Sequence, residues 1–205
     1  MFLVEESAPP VAALPVAGLR EHLRMASGFA LPDDPAEDAA LVGFLRAAIA
    51  TIEARTGKVL LTRRFRMRLE DWREPAGQAL PLAPVLSVDA VEIEDRAGVR
   101  RQIEVGRYRL VPDAQRPRLA PLGSSLPHVP EGGSVSVIFL AGFGEQWADI
   151  PADLAQAVLL LAARYYEDRS LESGAIAIPQ GVASLIERWR AVRVLGGRPA
   201  RGARG

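Results

Sequence analysis

The chain offers few side chains able to do chemistry, and their spacing argues against most of it. It has two histidines and no cysteine, which removes thiolate metal sites, cysteine nucleophiles and disulfides together. His22 sits beside Glu21 in a short amphipathic stretch, and His128 lies between Pro127 and Pro130. Neither has the spaced carboxylates of a metal site, and no serine elbow is present to build a triad. G-x-S-x-G, a Walker A loop and H-E-x-x-H do not occur. Gly142–Phe143–Gly144 is a GxG without a third glycine, better read as a structural turn than as a phosphate cradle. Asp33, Asp34, Glu37 and Asp38 read as helix-start residues, stabilised by capping and the helix dipole rather than poised for acid–base work. An enzyme is the class least supported, and no cofactor or metal is expected.

What remains is arginine. Of the 25 basic residues only Lys58 is lysine. Arg64, Arg66 and Arg68 alternate with Phe65, Met67 and Leu69, which places a basic stripe on one face of a strand. The segment Arg188–Gly205 holds six arginines and no acid. The plain reading is a GC-rich genome, a solvated strand face and a soluble end. The functional one is charge-assisted contact with another chain or with a phosphate backbone. Aromatics do not interleave with the arginines, so base stacking is not supported. The net charge is zero, with the front of the chain acidic and its end basic.

The elements that must position these residues follow from period and punctuation. At 205 residues the chain is one domain, or one domain with a sizeable insertion, and folding can bury roughly 70% of its surface. Its apolar runs fall far short of the roughly 20 residues of a membrane span, and MFLVEESAPP lacks the basic start of a signal peptide. A soluble, intracellularly made protein without a membrane partner is expected. Residues 1–14 read as a flexible N-terminal arm, and Pro15–Met25 as a short helix. Asp34, Pro35 and Glu37 then open a helix running to Thr56–Gly57, with Leu41, Leu45, Ala48 and Ile52 on one stripe. From Lys58 the period falls to two. Strands are expected around Phe65, over Val85–Glu94, back over Val99–Val105 after the turn Asp95–Gly98, through Arg107–Val111, and over Ser134–Leu140. Gln115–Gly123 reads as proline-broken.

The most apolar helix lies within Phe139–Arg169, with Asp149 as candidate cap, Pro151 at the first turn and Asp153 near the positive end of the dipole. A helix so apolar is central in its own domain or pressed on a neighbouring subunit. Ser170–Ile178 reads as a mobile loop, Pro179 opens a last helix carrying Trp189, and residues 196–205 form a disordered basic tail. The fold class is α+β: a helical body of about four helices (15–57 and 149–195) around an inserted antiparallel β segment (58–145) of five or six short strands.

In order and spacing, this chain resembles the head–tail connector, or adaptor, proteins of long-tailed phages and phage-derived gene transfer agents. The carriers of the resemblance are IEARTGK (Ile52–Lys58) closing the second helix, PLAPVLSV (Pro81–Val88) entering a strand, and AGFG (Ala141–Gly144) followed by IPADLAQAVLLLAARYYEDR (Ile150–Arg169). The resemblance spans nearly all of Leu14–Leu195, which it makes a single connector domain. It implies a structural virion protein of the particle neck, forming a ring of twelve subunits that docks on the portal, links the DNA-filled head to the tail and lines the DNA exit channel. It also implies a next neck or tail component (a stopper) as partner and non-specific contact with DNA in the channel. Trp189, Arg190, Arg193, Arg198, Arg201 and Arg204 become candidates for portal docking. Leu154, Val158, Leu161 and Tyr165 become candidates for packing between subunits. The alternatives are a head-closure or tail-completion ring protein and, in a different class, a nucleic-acid-binding module using the arginine-rich strand and tail.

Overall fold

The computed structural model describes residues 1–27, 35–74, 76–168 and 178–190. Helices and strands form two cores. The helical one joins α1 (Val16–Ser27), α2 (Pro35–Thr56), α3 (Ala152–Glu167) and α4 (Gln180–Ile186). In α2, Leu41, Leu45, Ala48 and Ile52 are buried on one stripe as their spacing predicts, with Ile49 beside them. The helix stops where Gly57 takes φ 67° and donates to the Glu53 carbonyl at 2.8 Å, the left-handed ending that glycine makes cheap. The expected cap Asp34 lies outside the described residues.

α3 packs against α1, α2 and α4, and this explains why its apolar positions reach nearly round the cylinder. Leu154, Ala157, Val158, Leu161 and Ala162 are fully buried, and Leu159 and Leu160 partly so. Two local expectations are corrected here. Asp149 does not cap α3: it closes the single turn Trp147–Asp149, where its Oδ2 accepts from the Gln146 N–H at 2.9 Å. Pro151, not Asp149, is the cap residue; its missing N–H makes it tolerable there.

The α+β class holds, with eight strands among the described residues. Five form one antiparallel sheet in the order β1 (Phe2–Glu5), β2 (Arg63–Leu69), β8 (Ser134–Ala141), β4 (Val85–Glu94), β5 (Arg100–Gln102). Three form a second, in the order β3 (Gln78–Ala79), β7 (Arg118–Pro121), β6 (Tyr108–Val111). Both sheets contribute to one core. Phe65 and Met67, Val91 and Ile93, Val137 and Phe139 face inward from the larger sheet, and Tyr108 and Leu119 from the smaller. The Phe65 and Phe139 rings, opposite each other in register, stack at 5.8 Å.

Three sequence expectations change. Residues 2–5, expected in a flexible arm, form edge strand β1, pairing Phe2 with Arg68 and Glu5 with Phe65. Leu3 faces the core and Glu5 meets Arg63, so the strand is held from both ends of its pattern. Residues 108–111 belong to the second sheet instead of continuing the first, and residues 118–121, expected to be broken by proline, make its central strand. At the turn, Asp95 accepts from the Ala97 and Val99 N–H groups at 2.9 Å each and Gly98 takes φ 82°, so the expected hairpin forms.

The return to the helices passes through Gly142. A Cβ there would lie 2.4 Å from Thr62 Cα, so only glycine permits this crossing. Three backbone bonds fix it: Gly142 N–H to Pro84 O (3.0 Å), Phe143 N–H to Leu60 O (3.2 Å) and Thr62 N–H to Gly144 O (2.8 Å). The GxG is a structural crossing, as read from its spacing.

Candidate functional site

The arginine stripe on β2 exists, but it is not a free basic face. Strand alternation puts Arg64, Arg66 and Arg68 on the outer side of the large sheet. Opposite them on β8 stand Leu140, Ile138 and Ser136, and beyond β8 come the acids of β4. The short serines let guanidinium groups reach across one strand to the next. Arg66 Nη1 bonds Glu92 Oε2 at 3.0 Å, and Arg68 Nη2 bonds Glu94 Oε1 at 3.0 Å. Arg68 Nε donates to Ser134 Oγ at 3.1 Å on the way. Arg64 lies 3.3 Å from Asp89 and 3.1 Å from Glu6, Arg66 Nε 2.6 Å from Glu6, and Arg100 Nε 2.6 Å from Glu94. Four arginines thus meet four carboxylates in a lattice. The Arg100 hydrogen bond, then the nearby Arg68 charge, holds the Glu94 carboxyl below its usual range. Hydrogen bonding to Glu6 and Glu92, with burial opposing, raises Arg66. A neutral lattice presents little net field to a phosphate backbone, which weakens the nucleic-acid reading of this strand.

Arg63 is different: its side chain points inward. It is buried, with Nη1 2.9 Å from Glu5 Oε2 and Nη2 2.5 Å from both oxygens of Glu53. Glu53 also accepts the Leu60 N–H at 2.8 Å. Burial pushes the Glu53 carboxyl up, and the Arg63 charge and the Leu60 N–H only partly pull it back. A groove of about 200 Å³ lined by Leu14, Ile49 and Ala50 opens beside this cluster. A perturbed acid at a groove is a catalytic signature in some proteins. Here the guanidinium is committed to two carboxylates and the Leu61 carbonyl, so the cluster is a clip joining α2, β1 and β2. Lys58, 1% exposed, serves similarly. Its Nζ donates to Ala114 O and Gln115 Oε1 (2.8 Å), and burial lowers its pKa.

A third cluster anchors the C-terminal segment. Trp189 Nε1 donates to Asp153 Oδ2 at 2.7 Å, and Arg188 Nε reaches the same oxygen at 2.7 Å. The Trp189 ring stands edge-on to Phe143 at 5.5 Å, with the Arg188 guanidinium 4.7 Å above it. Burial alone would raise Asp153; the bonds from Trp189 and Arg188 outweigh it and hold the carboxyl below its usual range. Asp153 sits in the first turn of α3 as expected, and there it also meets the favourable end of the dipole.

The sequence-predicted site residues separate on this structure. Leu154, Val158 and Leu161 are fully buried in the chain's own helical core, so none of the three presents surface on the single chain. α3 is the central helix of the domain, the first of the two readings its composition allowed. Tyr165 is half-buried, its hydroxyl 3.0 Å from Thr51 Oγ1. Trp189 is spent on Asp153 and Phe143, while Arg190 is exposed and bonds Glu187 at 3.2 Å. Arg193, Arg198, Arg201 and Arg204, the loop expected over Ser170–Ile178 up to residue 177, and the basic tail lie outside the described residues. His22 lies in α1 and His128 in an exposed loop. The partners that sequence reasoning missed are Glu6, Asp89, Glu92 and Glu94. The period-two Glu92/Glu94 pattern matched the Arg66/Arg68 pattern, but nothing local said the strands stand two apart.

No protein-family model matches the chain, and no curated protein matches it. Solved structures do. One is a chain from the neck of an empty gene transfer agent particle computed with C6 symmetry: 55% identical, TM-score 0.84, covering 97% of this chain and 100% of that one. Another is from the virion of a native gene transfer agent particle, 56% identical with TM-score 0.85 and the same coverage. A third is from the neck of a native particle computed with C12 symmetry, 52% identical with TM-score 0.82, again covering 97% and 100%.

Proposed function

Because the chain belongs to the family of gene transfer agent neck proteins, we propose that it is the ring-forming head–tail connector of such a particle. In this reading twelve copies, the number matching a neck computed with C12 symmetry, dock under the portal and continue the DNA exit channel toward the next neck component. The role is structural. The observation that carries it is likeness to neck chains along 97% of the sequence at more than half identity. The chemistry agrees: buried acid–base contacts are tied up in clips, and four arginines on the outer face of the large sheet are neutralised by carboxylates.

The arginine-bearing end supplies the portal contact in this reading. Trp189 does not meet the portal directly; it fixes the base of the segment on α3, and Arg190, Arg193, Arg198, Arg201 and Arg204 engage acidic portal surface by charge-assisted bonds. The test is reconstitution on purified portal, scored by mass and by image reconstruction. The full chain should add as a ring of about twelve copies. A chain ending at Gly197 should bind at least about tenfold more weakly, as expected when several charge-assisted contacts are lost. A full chain that fails to associate with portal overturns the connector reading and favours a ring one layer further down.

A further inference from the structure

The outer face of the large sheet and that of the small sheet treat their arginines in opposite ways. On the large sheet Arg64, Arg66, Arg68 and Arg100 each meet a carboxylate. On and beside the small sheet Arg107, Arg109, Arg116 and Arg118 are all exposed, and none makes a side-chain ion pair or hydrogen bond among the described residues. The sole acid of residues 105–121, Asp113, is turned onto the backbone N–H groups of Gln115 (2.7 Å) and Arg116 (2.6 Å). Register sets the face. Arg109 lies opposite Ala120 and Arg118 opposite Val111 and Ala79, so Arg109 and Arg118 share the outer side while Tyr108 and Leu119 face the core. Val105 and Leu122, 68% and 56% exposed, flank the ends of β6 and β7, where the Leu122 N–H donates to the Arg107 carbonyl at 3.1 Å. Apolar anchors ringed by unpaired arginine mark a protein contact, since a phosphate backbone has no use for the apolar part.

The complement is on the same chain. The corner after β2 carries Glu70, Asp71 and Glu74 against a single Arg73, all exposed. Glu70 and Glu74 make no side-chain ion pair among the described residues. Met1 and Phe2, 63% and 67% exposed, lie alongside, and Met1 and Glu74 line a groove of about 250 Å³ there. This corner leads directly into β3, and the strand order β3-β7-β6 puts it at one edge of the small sheet with Arg109 at the other. A ring of identical subunits needs two different patches that meet head to tail. We infer that the basic β6–β7 face of each copy docks on the acidic 70–74 corner of the next copy, Val105 and Leu122 seating against Met1 and Phe2. This rests on the ring proposed above and names its contact surfaces.

The test is charge exchange in particles, using the full chain. R109E with R118E, or E70R with E74R, places like charges across the contact and should lower incorporation into the neck about a hundredfold or more. All four changes in one chain should restore it, because each copy carries both patches. None of the four side chains has a partner within the chain among the described residues, and circular dichroism with thermal unfolding checks that the variants fold. As a second measurement, R109C with E74C in this cysteine-free chain should give a ladder of cross-linked oligomers with a bismaleimide in particles, and each single variant none. Double reversals that incorporate normally, or a double-cysteine chain that gives no ladder, overturn the proposal. So does a reversal that leaves incorporation intact but lowers DNA retention, which would assign the face to phosphate. A wild-type chain absent from the neck would instead overturn the ring reading itself.

Discussion

The Trp189 indole N–H donates to Asp153 Oδ2 at 2.7 Å across 36 residues of chain. With Arg188 Nε on the same oxygen, this bond ties residues 187–189 to the first turn of α3. Replacing Asp153 by Ala strands the half-buried Trp189 donor, while exposed Arg188 can turn to water, and should cost about 1–2 kcal/mol at pH 7. Trp189→Phe keeps the ring on Phe143 and should cost about 1 kcal/mol. Because Asp153 is held below its ordinary 3.8, the unfolded chain takes up its proton first as pH falls. The stabilisation is therefore present above pH 3.8 and lost as pH drops through the lower folded value. Urea unfolding of D153A and wild type should differ at pH 7, and the difference should shrink as pH falls below 3.8.

The Arg63 clip makes a second prediction with the opposite pH sign. Removing Arg63 leaves Glu53 buried without its partner, and R63M should cost about 3–5 kcal/mol at pH 7. R63M with E53Q should recover a large part of that loss, since no charge is then left buried. Glu53 is raised above its ordinary 4.5, so the folded state holds the proton longer than the unfolded one. Its contribution is most favourable below pH 4.5 and declines as pH rises toward the folded value. The R63M defect, measured by denaturant midpoint, should accordingly shrink on acidification. A defect constant from pH 7 to 4 would contradict the clip.

These two clusters show where reading from residues reached and where it stopped. The α2 stripe, the Asp95–Gly98 hairpin and the alternation of Arg64–Leu69 were legible because each depends on a local period or turn residue. Strand β1 was not: Phe2–Glu5 is four residues ahead of Ser7 and two prolines, and only its partner β2, some sixty positions later, gives it a sheet. Strands β3 and β7 are two and four residues long, too short for any alternation to register. The apolar girth of α3 was visible, but period alone cannot tell three surrounding helices of the same chain from a neighbouring subunit. The arginine stripe was visible too, yet its neutralisation needs the order β2-β8-β4, which is a tertiary fact.

Two glycines should respond oppositely to the same change. Gly142 takes φ 145°, and an added Cβ would meet Thr62 Cα at 2.4 Å and Thr62 N at 2.5 Å. Backbone cannot yield cheaply there, so G142A should destabilise by at least about 2 kcal/mol. Gly43 lies exposed within α2, and a Cβ there meets nothing within 4 Å. G43A should therefore stabilise by about 0.5–1 kcal/mol through helix propensity. Thermal melts of the two variants against wild type decide both, and a G142A that melts like wild type would sink the account of the crossing.

The lattice on the large sheet predicts what its arginines do not do. Each exposed pair is worth little alone, and R66A should cost only about 0.5–1 kcal/mol, shrinking in high salt. The consequence for nucleic acid is sharper. Arg64, Arg66 and Arg68 are each within 3.3 Å of a carboxylate, so a passing phosphate must displace an acid that already satisfies the guanidinium. Were these arginines phosphate ligands, replacing all three by Ala would reduce the slope of log affinity against log salt by roughly 0.9 per arginine on duplex DNA. The lattice predicts no such change: the triple variant should keep nearly the wild-type salt slope on duplex DNA, with any loss of affinity no larger than the three removed charges and freed carboxylates account for. It should even gain some affinity for cations, because Glu6, Asp89 and Glu92 are then left unneutralised, while Glu94 keeps Arg100. Fluorescence anisotropy with a labelled duplex across a salt series measures this, and a slope reduced by two or more in the triple variant would restore the nucleic-acid reading of the strand.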